Sequence, residues 1–319
     1  MQCLRPTKFP NSNGMYNVCG QCMPCRITKR KEWETRLMLE WQTWGSGAFV
    51  TLTYAPEHLP ESTKYKGGNL NKTHAQLWLK RFRQAFNRKY GKTKIRHFLV
   101  GEYGDQSERA HYHALIFNAS PEQIEYITKQ TWKMGHTATS PIIQNRIKYT
   151  IGYTIKKLTD KKKFPDGRQS EFAIMSRKAG IGYYAVDKFA EAIRKKRLIP
   201  ERAFSLQERL ILRNNFIKDG MKMWTGIYYV AGEHFRLNNL FLRKVVAEAY
   251  PEILQFIKIN TDGTPTAKEL KEIKVYNNRL TDHSVLDKIK FETEELDYAE
   301  KKASKELRKA EKANITKKL

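Results

Sequence analysis

The chain has 319 residues, enough for one large domain or a domain with appendages. Its 59 Lys and Arg stand against 33 Asp and Glu, a net charge of +26, so a polyanion is the expected partner, nucleic acid ahead of an anionic membrane surface. No apolar run is long enough to span a bilayer, and the first residues lack the apolar stretch of a secretory signal, so a soluble protein working inside a cell is expected.

All four cysteines lie near the start: Cys3, then Cys19, Cys22 and Cys25 in "CGQCMPC". Thiols at this spacing suit a tetrahedral metal, most simply structural zinc; an iron–sulfur cluster or plain reduced thiols also fit. "RITKRKEWETRLMLEWQTW" follows without Gly or Pro and reads as a helix. "SGAFVTLTYA" is β-branched and aromatic, a strand, and "PEHLPESTKYKGGN" is a loop. The next helix carries Ala75, Trp78, Leu79, Phe82, Ala85 and Phe86 at helical spacing, with Gly91 as its stop. Its other face carries Lys80, Arg81, Arg83 and Arg88, candidate DNA contacts. "KIRHFLVGEYG" and "RAHYHALIFN" read as two strands, and Ser120 with Pro121 opens a helix. "HTATSPII" is a short strand and "QNRIKYTIGYTIKKLTD" a helix despite Gly152. "EFAIMSRKAGIGYYAVDKFAEAI" reads as strand, Gly-bearing turn and helix, with Arg177 and Lys178 as further DNA contacts. Helical fragments and a strand pair around "MWTGIYYVAGEHFRL" follow. The last 55 residues are Lys/Glu-rich and read as a charged helical tail; they hold 14 basic and 11 acidic residues, so the basic field belongs to the body.

On a strand, residues two apart share a face, so His111 and His113 project together and Tyr112 points away. Such a pair is most often just two polar residues on a solvent face. Here Glu102 ends the preceding strand, and a hairpin through "YGDQSERA" places it beside His111. One carboxylate and two imidazoles then make a three-ligand set with positions left open for a phosphate oxygen and water. Tyr149 and Tyr153 are four apart, one face of a helix, with Lys156 and Lys157 just behind. A phenol attacks phosphorus when neighbouring charge favours its ionisation. An aromatic core stripe is the bland alternative, and two adjacent lysines argue against its full burial.

The order of "FVTLTY", "GEYG", "HYH" and "YTIGYTIKK" resembles the rolling-circle initiators of the HUH endonuclease superfamily. The paired tyrosines, "CGQCMPC" and "MSRKAGIG" resemble the replication initiators of microviruses, in the gokushovirus branch, over about residues 15 to 190. Ala179 departs from the proline of "MSRKPGIG" and puts that loop's rigidity in question. The resemblance implies an α+β fold, a central antiparallel sheet of about five strands with flanking helices. It implies Mg²⁺ or Mn²⁺ held by His111, His113 and Glu102, and Tyr149 and Tyr153 as alternating nucleophiles. Lys157 matches a lysine of single-tyrosine relatives, with Lys156 its competitor. The implied activity is nicking of one strand at a viral origin through a 5′-phosphotyrosine link, priming from the 3′-OH, and rejoining of the displaced strand into a circle. The implied partners are single-stranded and supercoiled origin DNA and the host helicase, polymerase and single-strand-binding protein, with no membrane, in the cytoplasm of an infected bacterium. The expected layout is a cysteine-rich segment at 1–30, the endonuclease domain at 31–200, a mixed accessory region at 201–264 and the tail at 265–319. Rival readings are a plasmid relaxase or single-strand transposase of the same superfamily, and a non-catalytic nucleic-acid-binding protein.

Overall fold

The computed structural model describes residues 3–8, 16–61, 67–104, 107–158, 168–217, 220–230, 233–237 and 239–260; of these, residues 153–158, 206–207, 210, 214, 227–236, 240 and 260 are described by their backbone alone. The expected tail at 265–319 lies outside the described residues. The chain divides into two compact units: Glu32–Lys196 with Gly226–Ala249, and Met1–Lys31 with Arg197–Thr225 and Tyr250–Leu319.

The first unit is built on a five-stranded antiparallel sheet. Its strands are β3 (Gly47–Thr53), β4 (Arg96–Tyr103), β5 (Ala110–Phe117), β6 (Thr137–Pro141) and β7 (Phe172–Met175), in the order β6-β3-β5-β4-β7. Strands β1 (Thr7–Lys8) and β2 (Tyr16–Asn17) pair separately near the start of the chain. The central strands β3, β4 and β5 are buried on both faces, which explains why apolar residues occupy both phases of their alternation.

Helix α1 (Met23–Trp44) and helix α4 (Gln144–Leu158) cover one face, where Leu37, Met38, Ile147 and Ile151 meet Phe49, Phe98, Leu115 and Phe117. Helix α2 (Lys72–Tyr90) and helix α3 (Pro121–Thr131) cover the other. From α2, Ala75, Trp78, Leu79, Phe82 and Phe86 are buried against Leu52, Leu99, Ala114 and Ile116. Each large apolar side chain buried this way contributes about 1.5–3 kcal/mol, which anchors a helix whose outer face is strongly basic. The Asn71 side chain caps α2, and Ser120 with Gln123 forms a reciprocal capping box on α3, as the Ser-Pro start predicts.

Helix α5 (Val186–Lys195) packs on helix α7 (Asn239–Ala249), with the Phe189 and Phe241 rings edge to face at 5.6 Å. Strands β10 (Ile227–Val230) and β11 (Glu233–Arg236) form the expected antiparallel pair. In the second unit, β8 (Leu198–Pro200) and β9 (Lys222–Trp224) pair in parallel, and helices α6 (Leu206–Leu212) and α8 (Pro251–Asn260) pack together. The α+β class and the five-stranded antiparallel sheet agree with the sequence reading.

Candidate metal centre and nucleophile helix

The hairpin of β4 and β5 sets Glu102 directly opposite His111 and Val100 opposite His113. On the other side of β5, β3 sets Thr51 opposite His113 and Thr53 opposite His111. Directly paired residues share a face, so one end of the α1/α4 face carries Glu102, His111, His113, Thr51 and Thr53. Gly101 precedes Glu102 because a side chain there would collide with the Phe172 ring, 2.9 Å from the position of its Cβ.

Both imidazoles aim Nε2 at one oxygen: Glu102 Oε1 lies 3.0 Å from His111 Nε2 and 3.2 Å from His113 Nε2. The Arg109 carbonyl only accepts, so His111 Nδ1–H donates to it at 3.0 Å and leaves Nε2 as the outward ligand atom. His113 Nδ1 meets the Thr51 hydroxyl at 2.9 Å, which orients the second ring the same way. Burial pushes the Glu102 carboxyl up, but hydrogen bonds and charge from His111 and His113 outweigh it and hold the group well below the usual carboxylate range. Glu102 stays ionised although only 3% exposed. Its second oxygen, Oε2, is buried and accepts no hydrogen bond among the described residues. An orphaned buried carboxylate oxygen costs about 1–3 kcal/mol, and a cation beside it offsets that cost. Two Nε2 atoms and a carboxylate within 4.8 Å of one another therefore fit a divalent cation.

Helix α4 runs over this end of the sheet. The half-buried Tyr149 ring stands edge-on to His113 with centroids 5.3 Å apart, and edge-on to Phe49 at 6.3 Å. Ile147 and Ile151, on either side of Tyr149, are fully buried and seat the helix. Lys148 reaches Glu34 of α1 at 3.7 Å. Tyr153, Lys156 and Lys157 lie on the backbone of α4, and their side chains are outside the described residues.

The basic candidates lie elsewhere. Lys80, Arg81, Arg83 and Arg88 are exposed on α2, the helix packed on the opposite face of the sheet from Glu102 and the histidines. Arg177 and Lys178 are exposed in the loop after β7. That loop is held at the Arg96 end of β4, six residues or about 20 Å of strand from Glu102. Neither set is brought to the carboxylate–histidine cluster.

Behind β5, Tyr112 occupies the α2 side of the sheet. Its hydroxyl lies 2.6 Å from that of Tyr54 and donates to the Asn71 carbonyl, while Tyr54 Oη meets His74 Nδ1 at 2.9 Å. This buried network pins the strand between its two histidines. Sequence reasoning passed over Thr51 as ordinary sheet core and named neither Tyr54 nor His74. The pairing of "FVTLTY" with "HYH" that would have found Thr51 depends on strand register, which local pattern does not reveal.

Residues 47–158 match the family model for replication-associated protein ORF2. The chain is 30% identical over 191 residues to the replication-associated protein VP4 of Bdellovibrio phage phiMH2K, covering 50% of this chain and 59% of that protein. It is 29% identical over 189 residues to the replication-associated protein ORF2 of Spiroplasma virus 4, covering 53% and 57%, and 28% identical over 189 residues to the replication-associated protein ORF4 of Chlamydia phage 1, covering 52% and 45%. The matched stretch spans about half the length of these curated relatives. No solved structure matches the chain.

Proposed function

We propose, from the premise that this chain is similar to the replication-associated proteins of small phages, that it initiates rolling-circle replication as an origin-specific nickase and strand-transferase. One observation carries the reading: a tyrosine helix lies across the sheet face on which two imidazoles and an ionised carboxylate converge. Residues 31–200 form the endonuclease domain in this reading. Glu102, His111 and His113 would hold Mg²⁺ or Mn²⁺, which when bound supplies electrophilic polarisation of the scissile phosphate.

The chain's own residues do the rest. The Tyr149 phenol gives up its proton and its oxygen bonds to phosphorus; the bond from phosphorus to the 3′ oxygen breaks, and that oxygen leaves as a 3′-OH primer. The 5′ end stays on the enzyme as a phosphotyrosine diester, which keeps the energy of the cleaved bond, so rejoining consumes no nucleotide. Tyr153, one helical turn on, attacks the regenerated origin. The new 3′-OH then attacks the first phosphotyrosine and closes the displaced strand into a circle. Lys157, with Lys156 as alternate, would favour the phenolate by charge. The net charge of +26 supports DNA as the partner. Lys80, Arg81, Arg83, Arg88, Arg177 and Lys178 would contact its phosphates. Host helicase, polymerase and single-strand-binding protein complete the proposed reaction in the bacterial cytoplasm.

The test is incubation of the full chain with supercoiled viral DNA and Mn²⁺, followed by mapping of the covalent adduct. Tyr149→Phe and Tyr153→Phe alone are expected to keep some first-round nicking but to lose repeated rounds ending in circles. The double Phe variant is expected to form no adduct while still binding DNA. An adduct at a DNA 5′ end in that double variant would refute the assignment of the nucleophiles. His111→Ala/His113→Ala is expected to abolish nicking and retain binding, the result that separates an enzyme from a non-catalytic DNA-binding protein.

A further inference from the structure

We infer that Cys3, Cys19, Cys22 and Cys25 hold a single zinc ion as a closed four-thiolate site, and that this ion is mononuclear and structural. The pairing of Thr7 with Asn17 turns the chain back on itself and brings Cys3 to Cys19, while Cys22 immediately precedes α1 and Cys25 sits in its first turn. All four sulfurs lie within 4.8 Å of one another, with Cys22 Sγ to Cys3 Sγ at 3.8 Å and Cys19 Sγ to Cys25 Sγ at 3.9 Å. Sulfurs at the corners of a tetrahedron around zinc, each about 2.3 Å from the ion, stand about 3.8 Å apart. A disulfide needs a sulfur separation of about 2.05 Å, and all four cysteines are free.

Mutual proximity also decides between one ion and a cluster. A four-iron cluster binds each thiolate to a different iron, and a two-iron cluster binds them as two separated pairs; in both, the inorganic core stands between sulfurs that here are all close neighbours. A second observation concerns the charge on the sulfurs. Backbone N–H groups of Leu4, Cys19 and Cys22 donate to the sulfurs of Cys22, Cys3 and Cys19 at 3.4, 3.2 and 3.3 Å. Three amides aimed at three different sulfurs suit thiolate acceptors, and the N-terminus of α1 adds a favourable field for Cys22 and Cys25. Cys3, Cys22 and Cys25 are at most 8% exposed, so no coordination position opens to a substrate. The site therefore ties the first residues to the start of α1.

The experiment is metal and sulfide analysis of the full chain carrying His111→Ala and His113→Ala, purified from medium supplemented with both zinc and iron. Those substitutions remove the other metal-binding group from the count. The expected result is about one zinc per chain, no acid-labile sulfide, and at least a tenfold loss of zinc in Cys25→Ser. As a readout independent of any variant's folding, exchange of the unsubstituted chain with Co²⁺ is expected to give the visible bands of tetrahedral thiolate-bound cobalt. Iron with labile sulfide, iron without it, or no metal at the expected stoichiometry would each overturn the inference. DNA cleavage does not enter these measurements, so they stand apart from the proposed nuclease activity.

Discussion

At His113, orientation rests on a single hydroxyl: Thr51 Oγ1 lies 2.9 Å from Nδ1 while Nε2 faces Glu102. Thr51→Val keeps the shape of the side chain and removes that partner, leaving the ring free to turn. Loss of such an outer partner typically weakens metal binding about 10–100-fold. Mn²⁺ titration by calorimetry is expected to show a loss in that range, with Thr51→Ser restoring most of the affinity; unchanged affinity in the Val variant would remove Thr51 from the site. His111, His113 and Glu102 were legible in the sequence because strand alternation and a short hairpin place them on one face without reference to anything distant. Thr51 was not, because it meets His113 across 62 positions of sequence. The register Thr51↔His113 is set by the packing of the whole sheet.

Among elements, the loop after β7 shows what replaces a missing proline. Ala179 stands where the resemblance expects proline, yet the loop is held from inside. Arg96 donates to the carbonyls of Lys178, Ala179 and Gly180 at 3.1, 2.8 and 3.1 Å, and Arg36 donates to that of Ile181 at 2.9 Å. Glu40 takes the Gly182 amide at 2.6 Å and pairs with Arg96 Nε at 2.6 Å, with both side chains almost wholly buried. Removing one partner of a buried pair strands the other charge, at a cost of about 3–5 kcal/mol. Glu40→Gln is therefore expected to lower the stability of the chain by that much in urea unfolding. Glu40→Gln combined with Arg96→Met is expected to cost less than the two changes summed, because no uncompensated charge remains. Strict additivity would show that the pair does not act as a unit. The sequence announced this turn through its glycines. Its fastening was hidden, since Glu40 reads as one more acid in an amphipathic helix and Arg96 as a strand-end cation.

Over the whole molecule, the strand and helix order was readable because apolar periodicity switches cleanly from two to helical spacing, whereas the sheet order and the faces to which the helices are assigned come from tertiary packing. The same packing makes stability depend on pH through a residue with no part in the proposed chemistry. His97 lies on β4 beneath α2, 5% exposed, with Nδ1 3.1 Å from Ser176 Oγ. Burial, then the charges of Arg83 and Arg96, push its imidazole down to about 3. The folded chain thus prefers neutral His97, while the unfolded chain takes up a proton near the ordinary value of about 6.5. Its contribution is complete above about pH 6.5 and is lost progressively as pH falls toward 3, by up to about 1.4 kcal/mol per pH unit. The Glu102 carboxyl, held low, begins to add its own loss only below the ordinary carboxylate range, so the window between pH 6.5 and 5 belongs to His97. Urea unfolding at pH 7 and pH 5 is expected to show a drop in stability that is about 2 kcal/mol larger in the unsubstituted chain than in His97→Gln. Equal drops in the two proteins would mean that His97 is protonated in the folded state as readily as in the unfolded one, and that its burial beside two arginines carries no penalty.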